Sequence, residues 1–256
     1  MVIHLNKRGQ VTIFILLAII LVVIALAIFF FIPKINSSTN FNAENPNAFI
    51  QSCLETPLSE VAQVISNQGG SYDPKFFYSY QDERLEYLCY QSEIYKATCT
   101  VQQPLLRNHV EMEIKNQIQD DVRNCFNELK SKYEAQGYSV QLNQGEFNVT
   151  LLPEKIKVLS DSELTLTKKD TNKFNSFSIL VDNNLYEAVN IANEIVLWET
   201  ALGEADQMYL MYKHQAFNIE KHEDSEDVKV YIIEELETGN IFKFASRSLI
   251  FPAGMI

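Results

Sequence analysis

The sequence predicts an α+β protein: one N-terminal transmembrane helix, then an exported domain of amphipathic helices packed on an antiparallel sheet. Three observations carry this. An unbroken apolar run fills Val11 to Ile32. Beyond residue 45, apolar residues recur at helical spacing in several stretches. After Gly137 the period drops to two, the mark of half-buried strands.

Residues 1–10 form a short N-terminal segment with Lys7 and Arg8 near its end. Residues 11–32 follow, 22 residues without a charge. At 1.5 Å per residue they make a helix of roughly 33 Å, enough to cross the ~30 Å hydrocarbon layer. Lys7 and Arg8 precede the run and Lys34 alone follows it. The positive-inside rule therefore keeps the N-terminus in the cytoplasm and exports the rest. A cleavable secretory signal has a shorter apolar core ending in small residues, whereas this run ends Phe29-Phe30-Phe31-Ile32-Pro33.

The octapeptide Lys7-Arg8-Gly9-Gln10-Val11-Thr12-Ile13-Phe14 resembles the class III signal peptide of archaeal type IV pilin-like proteins. The resemblance implies that a prepilin-type peptidase cuts between Gly9 and Gln10 on the cytoplasmic side and that the helix stays on the mature protein. The family usually carries an acidic residue near the fourth or fifth mature position, where this chain has Ile13 and Phe14. Phe49-Ile50-Gln51-Ser52-Cys53-Leu54-Glu55, with Gln68-Gly69-Gly70 after it, is similar to a group of archaeal single-pass membrane proteins of unassigned function. That likeness implies a location and an architecture, with no activity attached.

Residues 33–45 are polar and aperiodic, a linker lifting the domain off the membrane. The exported domain spans 46–256, with a helical and hairpin part at 46–135 and a sheet and helix part at 138–256. Asn45 as cap and Pro46 at the first position start a helix whose stripe runs through Phe49, Cys53, Leu58 and Ile65, crosses Pro57, and stops at Asn67-Gln68-Gly69-Gly70. Aromatic residues crowd Ser71 to Thr100, which reads as an irregular hairpin packed on the core; a ligand-binding aromatic surface is the alternative. Pro104 opens a second helix, with Leu106, Val110, Ile114, Ile118, Val122, Phe126 and Leu129 on its stripe. Three or so antiparallel strands follow, with turns near Pro153, Asp161 and Asp170. Asn183-Asn184 cap a third helix ending at Gly203, and Gln207 to Phe217 reads as a further helix. Val228 to Ile233 and Ile241 to Phe244 form a hairpin around Glu237-Thr238-Gly239-Asn240, and the apolar end LIFPAGMI tucks against the sheet.

Charge bounds the partners. Setting aside the membrane segment and the flanking Lys7, Arg8 and Lys34, the rest of the chain holds all 33 acidic residues and 18 of the 21 basic ones, a net of −15. Phosphate binding rests on Lys and Arg, so the charge disfavours nucleic acid and anionic lipid as partners. The partners left are the bilayer itself and proteins at the cell surface, including further copies of the chain.

The four cysteines, Cys53, Cys89, Cys99 and Cys125, lie 36, 10 and 26 residues apart, with no CxxC pair to clamp a metal. Cys53 and Cys125 sit at or beside the stripes of two helices and Cys89 and Cys99 flank a hairpin. Of the three possible connectivities the sequence predicts Cys53 to Cys125 and Cys89 to Cys99.

No motif for catalysis stands out. There is no GxSxG elbow, and His222-Glu223-Asp224-Ser225-Glu226 fails HExxH at its fifth position. His214, Glu220, His222, Glu223 and Asp224 read as a solvated charged loop in place of a metal site, and no cofactor is called for. Asn36-Ser37-Ser38 and Asn148-Val149-Thr150 match glycosylation acceptors at Asn36 and Asn148, relevant if the domain is exported. The sequence thus points to a membrane-anchored cell-surface protein with a non-enzymatic binding or structural role. A type IV pilin-like filament subunit is the alternative, and an enzyme or transport accessory without a recognisable motif comes third.

Overall fold

The computed structural model describes residues 45–93, 98–224 and 227–249, together with Ile20. The expected membrane span, the linker up to residue 44, Gly9, Gln10, Asn36, Tyr95 and the end of the chain from Ile250 lie outside these residues. The chain divides into two units, 1–41 and 42–256, and all the described strands lie in the second. Among the described residues no helix is long and apolar enough to cross a membrane.

The fold is α+β. Helix α1 (Pro46–Asn67) starts as the sequence predicts: the Asn45 side chain accepts from the Ala48 N–H at 3.1 Å, and Pro46 occupies the first turn. The helix continues past Pro57 without ending there. It stops at Gly69 and Gly70, both at positive φ, where the chain presses on its neighbours: a Cβ on Gly69 would meet the Glu86 backbone at 3.1 Å, and one on Gly70 would meet the Leu106 side chain at 3.0 Å.

The aromatic segment becomes β1 (Phe77–Tyr80), β2 (Glu83–Tyr90) and β3 (Thr100–Val101). The next stripe forms two helices in place of the expected one, α2 (Leu106–Gln117) and α3 (Gln119–Ala135), separated at Ile118. Backbone bonds on either side of Ile118 keep the apolar stripe in phase, so Ile114, Ile118 and Val122 are all buried.

The sheet after α3 has twice the expected number of strands, and the reason is a bend. β4 (Ser139–Asn143), β5 (Phe147–Leu152), β6 (Lys155–Ser160), β7 (Glu163–Thr167), β8 (Thr171–Phe174) and β9 (Phe177–Asp182) are three long antiparallel segments, each broken once. The breaks align, so one half pairs in the order β5-β6-β9 and the other in the order β4-β7-β8. At the break the Gly145 N–H donates to the Ser162 hydroxyl at 3.2 Å, and a Cβ on Gly145 would lie 2.6 Å from the Asp161 carbonyl oxygen. Only glycine fits there.

Helix α4 (Leu185–Leu202) comes next, ending on Gly203 in the left-handed conformation. Its N-terminus is bonded differently from expectation: Asn184 makes no capping bond, and the Asn183 side chain accepts from the Leu185 N–H at 2.9 Å. The predicted helix at 207–217 is short, α5 (Gln207–Lys213), because Phe217 already begins strand β10 (Phe217–Glu223). The predicted hairpin is β11 (Lys229–Glu235) and β12 (Ile241–Arg247).

These late strands meet the early ones. The second sheet runs β1-β2-β12-β11-β10, with β3 paired to β2, and β12 lies parallel to β2 while its neighbours are antiparallel. α4 touches β2, β11 and β12 and also β5 and β6; α1 touches both β12 and β9. These two helices therefore supply the apolar layer shared by the two sheets, which explains why eight side chains of α4 are buried, well over one narrow stripe.

The open edge of β9 is closed by side chains. Asn47 and Gln51, one turn apart on α1, each bond the strand twice: Asn47 to Ser178 (3.0 and 3.1 Å) and Gln51 to Leu180 (3.0 and 2.6 Å). Two amides thus replace a missing strand partner.

Candidate functional site

A recess of about 590 Å³ lies between the outward face of α1, the β9–α4 turn and the β11–β12 turn. Ala62, Leu185, Ala188, Phe217 and Ile241 contribute apolar wall, and Glu55, Glu60, Asp182, Asn183, Glu235 and Lys243 contribute polar wall. Lys243 is held by Glu83 at 2.6 Å. Burial pushes the Glu235 carboxyl up, but the Thr238 hydroxyl and N–H donate to it and more than offset this, so it titrates below the ordinary glutamate range. With carboxylates in excess, such a recess favours neutral or cationic hydrogen-bonding groups and repels anions.

A buried ionic cluster lies at the end of α4. Glu199 is fully buried on the apolar stripe of that helix, and the Lys229 ammonium lies 3.1 Å from it. The hydroxyls of Tyr231, Ser246 and Ser248 donate to the same carboxylate, and Lys229 also donates to the Gly203 carbonyl. Burial, and then the Glu199 charge, drive the Tyr231 phenol strongly upward, so it stays a donor. A recess of about 270 Å³ opens beside Lys229 and Ser248. Lys229 lies 3.4 Å from the Ser248 hydroxyl, the pairing of a serine nucleophile with a lysine base. Here, however, the ammonium is held by Glu199 and, at 3.3 Å, by Glu204, and the serine proton goes to Glu199. The cluster is a clamp joining α4 to β11 and the end of β12.

Ser71, Glu86 and His109 also meet behind the Gly69-Gly70 turn. The Ser71 hydroxyl donates to Glu86 and lies 2.7 Å from His109 Nε2. With its only proton given to Glu86, the serine can only accept from His109, so the imidazole is a donor there and not the base of a triad. Gln103 donates to the other Glu86 oxygen at 2.9 Å, and the Tyr72 N–H donates to Glu113, so the group pins the turn to β2 and α2.

Of the residues singled out from sequence, Cys53 bonds Cys125 and Cys89 bonds Cys99, with Cα atoms 6.0 and 5.4 Å apart. The first bond joins α1 to α3 and the second staples β2 to the start of β3. Asn148 is exposed on β5, its side chain accepting from Lys115 at 3.2 Å. His214 pairs with Glu194 at 3.0 Å, and His222 with Glu220 at 3.3 Å on another element. Among the described residues no three His, Cys, Asp or Glu side chains converge as metal ligands.

The aromatic crowd packs mainly on itself: Phe76 meets Tyr87 and Tyr90 with ring centres 4.9 and 4.6 Å apart. Tyr87 belongs to the apolar cluster with Leu85, Val230 and Ala245 on the sheet face turned away from α4, and Tyr78, Tyr80 and Tyr90 pack against it. The Glu199–Lys229 clamp was not anticipated, though the signal was there: a lone carboxylate on the stripe Ala188, Ala192, Ile195, and a lone lysine in an apolar strand. Comparison with protein-family models, with curated proteins and with solved structures finds no match for this chain.

Proposed function

We propose that the chain is a membrane-anchored cell-surface protein whose exported domain has a non-enzymatic binding or structural role, with the bilayer and neighbouring surface proteins as partners. The observation that carries this reading is the pair of disulfides, which use all four cysteines. Such bonds persist in oxidising compartments and are rare in the cytosol. The apolar run 11–32 and the basic flank before it support the same orientation.

Two measurements test it. Protease added to intact cells degrades the domain if it faces outward; complete protection overturns the assignment. Non-reducing peptide mapping of protein taken from its native membrane yields the two cystine peptides, and four alkylatable thiols reject the location.

A filament subunit is the second reading, supported by Arg8-Gly9-Gln10. Electron microscopy of purified material decides between filament and single anchor.

A further inference from the structure

Uncommitted polar groups collect around the recess between α1, the β9–α4 turn and the β11–β12 turn. Its walls carry four carboxylates, Glu55, Glu60, Asp182 and Glu235, against one ammonium, Lys243. Lys155 neutralises Asp182 at 2.7 Å, and Glu83 neutralises Lys243 at 2.6 Å. The other three carboxylates have no cationic partner among the described residues. Glu55 and Glu60 are exposed on α1. Glu235, at the end of β11, is only 4% exposed, and the Thr238 hydroxyl and N–H fix its carboxylate in place. The carboxamides of Gln63, Asn67, Asn184 and Asn240 line the same walls and, among the described residues, make no side-chain hydrogen bond. Behind these polar groups the backing is apolar: Ala62, Leu185, Ala188 and Phe217 are at most 7% exposed. At about 590 Å³ the recess has the size of a small-molecule site.

We infer that this recess binds an organic cation with more than one ammonium group on an aliphatic chain. An ammonium donates three hydrogen bonds and accepts none, which suits walls made of carboxylates and carboxamide oxygens. The methylenes between such groups lie against the apolar backing, as the stem of a lysine does on a protein surface. Spacing asks for more than one charge. Glu55 and Glu60 are about 7.5 Å apart along the axis of α1, and Glu235 stands on a different wall, so a single ammonium cannot meet all three. A bare metal ion is smaller still, and among the described residues no three His, Cys, Asp or Glu side chains converge on one point. The carboxylates repel an anion. A sugar would find no open aromatic face to stack on, since Phe217 is 7% exposed. The same ammonium chemistry comes from two sources, a free polyamine or the lysine side chains of a partner segment. Such a site works whether or not the chain is anchored, because every group in it lies between Glu55 and Lys243.

Isothermal titration calorimetry of the full chain in detergent micelles tests this with two probes, spermidine and a trilysine peptide blocked at both ends. Saturable binding of at least one is expected, and the tighter of the two identifies the source as free polyamine or protein segment. The Glu55→Gln, Glu60→Gln double variant, changed only at exposed positions, weakens that binding about tenfold. Gln63→Lys, which places a cation of the chain's own on the wall of the recess, abolishes it. The Glu146→Gln, Glu163→Gln double variant removes the same charge from exposed positions outside the recess and leaves the affinity unchanged. Equal weakening by the two double variants would mean diffuse attraction to an acidic surface and overturns the site. Lack of saturable binding by either amine overturns it as well. Saturable binding of maltose with none of either amine assigns the recess to a neutral sugar and likewise overturns the cation.

Discussion

At the scale of single residues, buried charges set the sharpest tests. Removing one partner of the Glu199–Lys229 pair leaves the other charge uncompensated in the core. Glu199→Ala therefore costs about 3–5 kcal/mol, while the double variant Glu199→Leu, Lys229→Met recovers most of the loss because an apolar pair needs no desolvation. Urea unfolding of the three proteins checks this, and equal stability of the single and double variants would show that the clamp is not coupled. Glu235 gives a pH dependence. Its carboxyl is held below the ordinary value, so its contribution is present above that value and fades as pH falls through the lower folded one. The Tm gap between wild type and Thr238→Val is expected to be full at neutral pH and to close on acidification below about pH 4. A gap independent of pH would place the effect of Thr238 elsewhere. The β1–β2 turn offers a gain instead. Gln81 and Asp82 both adopt positive φ, 50° and 67°, in a two-residue hairpin that favours Asn-Gly. Replacing the pair by Asn-Gly is expected to raise stability by about 0.5–1 kcal/mol.

At the scale of elements, α1 is fastened on two sides by different means. Its amides close the edge of β9, so Asn47→Ala or Gln51→Ala leaves an exposed strand N–H and C=O to water, costing about 0.5–1.5 kcal/mol each. Hydrogen exchange at Ser178 and Leu180 reads the loss locally: faster exchange at both strand amides in the double variant is the expected outcome, and unchanged protection would mean that water serves as well. The Cys53–Cys125 bond ties the same helix to α3 across 72 residues of sequence. In the chain-entropy model such a loop contributes roughly 4 kcal/mol, against roughly 3 for the ten-residue Cys89–Cys99 loop. Both lie in or beside well-packed elements, so Cys53→Ala with Cys125→Ala is expected to lower the unfolding midpoint more than Cys89→Ala with Cys99→Ala.

At the scale of the whole molecule, the N-terminal motif makes one definite statement about maturation. If the peptidase recognises Arg8-Gly9-Gln10, the mature protein begins at Gln10; intact mass that still includes Met1 through Gly9 would leave a plain signal anchor and remove the main support for a filament. Within the exported unit, the two sheets differ in how far their pairing could be read. The bent meander is built from neighbours in sequence, and its turns near Pro153 and Asp170 were visible because turn residues and the period of two are local signals, whereas Asp161, expected as a turn, lies at the break between β6 and β7.

Much of what a short window of residues encodes was legible in the sequence, although the helix break at Ile118 and the breaks that double the strands of the meander were not. The start of α1 at Asn45-Pro46, the Gly-Gly stop, the α4 stripe, the β11–β12 hairpin and the Cys89–Cys99 pair all follow from capping, periodicity or spacing, and once that pair is set the other two cysteines are left to each other. Tertiary packing settled the rest. It paired β12 in parallel with β2, more than 150 residues away, and so turned two separate hairpins into one sheet. It cut the helix predicted to Phe217 short, because that aromatic belongs to β10 and packs inward with Ile219. It also brought Glu199 to Lys229. Each of these depends on which distant surface a residue meets, and a contact between remote segments leaves no periodic trace in either one, since the free energy that selects it comes from burial shared between them.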